Sequence, residues 1–152
     1  MPWKHRKTPV VRARCIIADG SGRLLVQWDH KRGAYTFPGG RVEYYESIPL
    51  CLVREMMEEA GIDVEPDRLL YIVEVMESNP PFHEILFYFN CKYRGTPKSK
   101  SRYIHLEWRR PEEVKDKFWP APLAELINRG PAGESPYYLV VSDGKIAFIK
   151  RI

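Results

Sequence analysis

The chain holds only three cysteines, Cys15, Cys51 and Cys91, and no two of them form a CxxC pair. An odd and scattered set argues against a disulfide framework and a zinc ribbon, and predicts a reducing, cytoplasmic setting. No apolar run approaches the roughly 18 residues of a membrane span, so no membrane partner is expected. The basic opening MPWKHRKTPV is followed by no apolar h-region, which predicts the absence of a secretory signal. Internal repeats, low-complexity tracts and linkers are also missing. The 152 residues therefore read as one domain over 1–152, long enough to bury a core. What is there is a globular composition, 44% hydrophobic and 29% charged. The net charge of +4 suits a polyphosphate ligand but occurs on many proteins without one.

Along the chain, VVRARCIIADG alternates apolar and other residues, and DGSG turns it into RLLVQW, predicting a hairpin. TFPGG is a short strand running into a glycine turn. A helix is predicted over Ile48–Ala60, with Ser47 as N-cap, Pro49 tolerated in the first turn and Gly61 as the stop. RLLYIVEVMES and FHEILFYFNCKY read as long paired strands around an NPP turn. Strand HLEWR leads into helix PEEVKDKF, PLAELINRG is a further helix, and YYLVVSDGKIAFIKRI closes the chain as a hairpin on an Asp-Gly turn. Mixed strands with a few helices give an α+β domain, layered α/β/α.

The predicted helix carries the chemistry. Leu50, Val53, Met56, Met57 and Ala60 fall on one side and can pack on a sheet. Glu55, Glu58 and Glu59, at i, i+3 and i+4, share the other side. Each like-charge pair costs roughly 0.2–0.5 kcal/mol, and acids near a helix C-terminus oppose its dipole. Arg54 neutralises only one of them. A solvated acidic face is one reading; a hard divalent cation, which takes oxygen ligands from carboxylates and phosphates, is the other. The Gly39-Gly40 turn favours the second, because backbone without a Cβ approaches an ion closely and offers a carbonyl.

A family resemblance in the whole pattern decides between them. Gly40, Glu46, Arg54, Glu55, Met56, Glu58, Glu59, Gly61 and Ile62 fill nine specified positions over residues 40–62. This resembles the Nudix box of the Nudix hydrolase superfamily, MutT-like, on the predicted loop-helix-loop. The resemblance implies a Nudix-type α/β/α sandwich with a mixed sheet and a C-terminal β-hairpin. It also implies hydrolysis of the diphosphate bond in a nucleoside diphosphate linked to another moiety, with Mg²⁺ or Mn²⁺. By residue, it makes Glu55, Glu58, Glu59 and the carbonyl of Gly39 metal ligands. Arg54 would hold Glu55, Glu46 would reach back to Arg54, and Arg41 would touch phosphate. Tyr45 stands where the family commonly has glycine, and Pro49 where it often has an acid. The loop KSKSRYIH carries no carboxylate, so the general base is left open between Glu55, Glu107 and another acid.

Several candidates lie outside the box. Arg12 and Arg14 share a face of the first strand, as a phosphate contact or as exposed sheet. His83 begins an HExxH-like run that residue 87, a phenylalanine, breaks; it remains a substrate-binding candidate. Trp28, Trp108 and Trp119 could stack on a base but suit packing better. Cys51, among apolar neighbours, is packing. KSKSR lacks interleaved aromatics, so no nucleic-acid partner is expected. Two classes remain: a hydrolase acting on a nucleotide-derived small molecule of the ADP-ribose, NDP-sugar or nucleoside triphosphate class, and a non-catalytic Nudix-fold sensor of nucleotide or RNA. The intact glutamates favour the hydrolase. A homodimer is left open.

Overall fold

The computed structural model describes residues 7–128 and 136–152. Its strands are β1 (Val10–Ile16), β2 (Leu24–Asp29), β3 (Ala34–Thr36), β4 (Gly39–Arg41), β5 (Asp63–Ser78), β6 (Pro81–Arg94), β7 (His105–Arg109), β8 (Tyr137–Ser142) and β9 (Lys145–Arg151). Its helices are α1 (Ile48–Ala60), α2 (Pro111–Val114) and α3 (Ala121–Asn128). A six-stranded mixed sheet runs β4-β1-β6-β5-β8-β9, and a three-stranded antiparallel sheet runs β3-β2-β7. Side chains alternate across each strand, so β1 sends Ala13 and Cys15 to one face and Ile16 to the other. The first face meets Cys51, Leu52, Met56 and Ala60 of α1; the second meets Val114 of α2 and Leu123 and Ala124 of α3. That is the α/β/α layering expected of an α+β domain. None of the described helices is long and apolar enough to cross a membrane.

The C-terminal hairpin forms on Asp143 and Gly144, whose positive φ values of 48° and 79° suit a two-residue turn that follows strand twist. β5 and β6 pair along nearly their whole length, and β5 begins at Asp63 rather than Arg68 because β6 offers partners out to Arg94. Helix PEEVKDKF is shorter than predicted: α2 stops at Val114 and a 3₁₀ turn takes Lys115–Lys117. Of PLAELINRG, the glycine end at 129–130 lies outside the described residues.

The first predicted hairpin is corrected. The DGSG turn is built, with Asp19 Oδ1 accepting from the N–H groups of Ser21 and Arg23, but the strands it joins part company. β1 finds β6 over seven register pairs, from Val10↔Glu84 to Ile16↔Asn90, and β4 on its other side. With both edges of β1 taken, β2 pairs with β3 and β7 in the second sheet.

Helix α1 has the predicted ends. Ser47 Oγ accepts from the Leu50 N–H at 3.3 Å, and Gly61 caps the helix at φ 66°. Its buried face is turned from the predicted one and shares only Met56 and Ala60 with it. Leu50, Val53 and Met57 are exposed, and Cys51, Leu52, Met56 and Ala60 are buried. Apolar residues occur around most of this helix, so their spacing fits two faces. The buried arc of 51, 52, 56 and 60 encloses positions 55 and 59, so Glu55 and Glu59 are carried inward rather than away from the sheet.

Candidate active site

The site starts where the two glycines admit backbone. Gly39 pairs with Arg14 of β1 at φ 151°, and a Cβ on it would overlap the carbonyl oxygen of Ala13. A Cβ on Gly40 would overlap the carboxyl group of Glu55. Glycine at both positions lets β4 lie flat against β1 and against the carboxylate side of α1.

Glu55 and Glu59 meet there. Burial first, and the charge of Glu55 next, push the Glu59 carboxyl up to about 8, while Arg14 and the Gly39 backbone pull it down. Oε2 of Glu59 is buried and has no hydrogen-bond partner among the described residues. Two adjacent carboxylates, one with an orphaned buried oxygen, suit a hard divalent cation. Glu58 stands apart, its side chain 59% exposed. Among the described residues, no three acidic, histidine or cysteine side chains converge as a ligand set.

Arg54 ties the box together. Its Nε donates to Glu46 Oε2 at 2.7 Å and Nη2 to Glu46 Oε1 at 3.0 Å, a bidentate pair. Its Nη1 donates to Glu55 Oε1 at 3.0 Å and to Glu58 Oε2 at 3.3 Å, and Nη2 also reaches the Arg41 carbonyl at 3.3 Å. Hydrogen bonds from Arg54 hold the Glu46 carboxyl down at about 2, and Glu46 in turn raises the Arg54 pKa. Tyr45, just before Glu46, takes the left-handed φ of 63° that glycine would adopt without strain.

These groups open into a cavity of about 570 Å³ lined by Glu55, Glu59, Gly39, Gly40, Arg41, Arg12, Arg14, Gln27, Trp28, Asp29, His30, Lys31, Arg32, Thr36 and Tyr103. Arg14 is buried and donates from Nη1 to the Phe37 carbonyl at 3.2 Å. Trp28 packs edge-on against Tyr35, ring centroids 4.9 Å apart. The fold thus brings Arg12, Arg14 and Arg41 to the glutamates. His83 is placed elsewhere: its Nε2 lies 2.6 Å from Glu74 Oε2, beside a separate groove formed with Val10, Met76 and Phe82. Glu107 does not line the cavity; its Oε2 accepts from the Tyr35 hydroxyl and from Arg109 Nε, each at 3.1 Å. Trp108 packs on Tyr93, and Trp119 lies against Phe82. Cys51 is buried, its thiol directed at the Arg41 carbonyl.

Gln27, Lys31, Arg32 and Thr36 were not distinguishable from sequence as cavity residues. The available signal was the charged loop DHKRG, which the β2–β3 turn folds over the site.

The NUDIX domain model matches residues 8–129 of the chain. The chain is 29% identical over 104 residues to the 8-oxo-dGTP diphosphatase of Buchnera aphidicola, covering 68% of this chain and 82% of that protein. It is 29% identical over 103 residues to a MutT-like protein of Streptomyces ambofaciens, covering 67% and 64%. Among solved structures, a MutT protein from Bacillus halodurans superposes with a TM-score of 0.75 at 23% identity, over 93% of this chain and 97% of that one. The chain belongs to the NUDIX domain family.

Proposed function

We propose that this chain hydrolyses the diphosphate linkage of a nucleoside triphosphate, with Mg²⁺ or Mn²⁺ as cofactor. The chain is a Nudix-type pyrophosphohydrolase, and its substrate class is the finer reading. One observation carries it. The cavity sets five cationic side chains, Arg12, Arg14, Lys31, Arg32 and Arg41, around three acids, Asp29, Glu55 and Glu59. Once a divalent ion neutralises Glu55 and Glu59, the surplus of positive charge suits a triphosphate better than the two phosphates of ADP-ribose or an NDP-sugar. The Buchnera relative's name, an 8-oxo-dGTP diphosphatase, points the same way.

Glu55, Glu59 and the Gly39 carbonyl would hold the metal, which would supply charge neutralisation at the phosphates and a more acidic water. The protein's own groups do the rest. Arg54 orients Glu55 through its hydrogen bond, so that Glu55 can accept the proton of the attacking water. Water oxygen bonds to phosphorus, the bridging oxygen leaves with the other phosphate, and the arginines hold the charge that develops. Trp28, next to the cationic loop, offers an aromatic face for the base.

Initial rates with oxidised and unoxidised dNTPs, ADP-ribose, NDP-sugars and dinucleoside polyphosphates, each with Mg²⁺ and Mn²⁺, test the proposal. A triphosphate should lead by at least about tenfold in kcat/KM, a gap of roughly 1.4 kcal/mol. A lead for ADP-ribose or an NDP-sugar would overturn the substrate class.

A further inference from the structure

Glu84 is almost fully buried, yet no part of the box requires it. It lies on β6, on the sheet face that carries Leu86 and Tyr88, and β1 brings Arg12 to the same face alongside it. Arg12 Nε donates to Glu84 Oε1 at 2.8 Å, and Arg32 Nη2 stands 3.7 Å from Glu84 Oε2. Arg32 is fixed from two further sides. Its Nη1 donates to Asp29 Oδ2 at 2.9 Å, and its guanidinium lies over the Trp119 ring, 3.7 Å from the centroid. Both arginines line the cavity that Glu55 and Glu59 enter. Among the described residues, neither terminal nitrogen of Arg12 donates to another protein group.

A buried carboxylate behind a polyphosphate cavity is a cost unless it does something. Its own charge repels the ligand, and a charge so far from water needs full pairing. Glu84 lacks that: Oε2 is buried without a hydrogen bond among the described residues. What it provides is geometry. Arginine side chains are rich in rotamer entropy, which an anchored guanidinium no longer spends on binding.

We propose that Glu84 is a positioning residue which holds Arg12 and Arg32 as a paired arm for the substrate's phosphates, across the cavity from the glutamates of α1. This rests on the phosphate-substrate reading above, but on no particular base or sugar. The arm leaves metal holding to α1 and takes the phosphates that the metal does not.

The sign of one substitution tests it. If Glu84 acted only through its charge, Glu84→Gln would tighten the binding of a polyanion. A positioning role predicts the reverse. Isothermal titration of inorganic tripolyphosphate into the wild type and Glu84→Gln, with Mg²⁺, should show affinity falling about tenfold or more, the scale on which outer partners of ligating groups matter. In an Arg12→Gln, Arg32→Gln background, where no arm remains to be held, the same change should move affinity less than about twofold. The triple variant pairs only neutral side chains, whereas the double variant strands the buried Glu84, so thermal melts of both accompany the titrations to show that each is folded. For turnover of a triphosphate, KM should rise by a similar factor while kcat changes less than about threefold. Unchanged or tighter tripolyphosphate binding in folded Glu84→Gln overturns the inference, as does an equal loss in the arm-free background. A wild type that binds tripolyphosphate but turns over no nucleotide would instead remove the hydrolase reading and leave this one standing.

Discussion

Arg54 donates a 3.0 Å hydrogen bond to the carboxylate of Glu55, the residue that follows it in the chain. Neighbours on a helix point about 100° apart, so this contact needs the long arginine side chain to fold back across its own turn. Glu46 makes it do so by holding Nε and Nη2 from the preceding loop. The order of dependence therefore runs from Glu46 to Arg54 to Glu55. Glu46→Gln should lower kcat by about 10- to 100-fold, as loss of an outer partner does. Arg54→Lys, which cannot reproduce the bidentate fork, should behave similarly. Steady-state kinetics on both variants check this, and full activity in either breaks the chain.

The choice of general base has a sharper test. Glu55 lines the cavity, whereas Glu107 lies outside it and already accepts from Tyr35 and Arg109. Glu55→Gln should cost roughly 10²–10⁴-fold in kcat and Glu107→Gln little. A severe loss confined to Glu107→Gln would move the base to β7.

Much of this could be read in the sequence, for a physical reason. The caps are local signals, so Ser47 and Gly61 appear where local rules put them, and Glu46, Arg54 and Glu55 meet as the family resemblance implied. The face on which α1 packs is not legible from periodicity alone, which cannot rank Leu50 and Met57 against Cys51 and Leu52. That ranking comes from β1 and β6, distant in sequence, whose Ala13, Cys15 and Cys91 share a core cluster with the buried face of α1. The same limit hid Glu84 and Arg32. Each is an ordinary surface-type residue in its own segment, and only the parallel pairing of β1 with β6 brings the first beside Arg12.

The raised Glu59 carboxyl gives a pH dependence with a definite sign. Its value moves from 4.5 to about 8 through burial and the neighbouring Glu55. The folded state therefore binds more protons than the unfolded one, and this group's contribution to stability declines as pH rises across that window. A divalent cation needs the ionised form, so it should release a proton on binding near pH 7 and offset the loss. Melting temperature without metal should fall between pH 5 and 8 relative to Glu59→Gln, with Mg²⁺ raising the wild type most at the alkaline end. Superimposable curves in EDTA and in millimolar Mg²⁺ at pH 8 would count against a metal at Glu55 and Glu59.

The paired glycines should separate fold from chemistry. Alanine at Gly39 meets the backbone of Ala13 and Arg14 and a positive φ, so Gly39→Ala should destabilise by about 2 kcal/mol or more. Alanine at Gly40 meets only the end of the Glu55 side chain, which can swing aside. Gly40→Ala should stay near wild-type stability while losing turnover. Denaturant unfolding and kinetics on the two variants check this, and equal stability losses would contradict it.

The cavity's walls belong to different sheets. Arg12, Arg14, Gly39 and Gly40 come from the six-stranded one; Gln27, Trp28, Asp29 and Thr36 come from the three-stranded one. Only Phe37 and Pro38 separate β3 from β4, and Phe37 is locked between Tyr88 and Phe118 in the core. The cavity is therefore a joint as much as a pocket, and its gape is set by how the sheets are wedged. Repacking that wedge, at Phe37 or Val26, should shift the distance between the aromatic wall and the arginine wall without changing the residues of either. In a family that accepts many substrates, such hidden spacers offer a route to new selectivity that no comparison of lining residues would reveal.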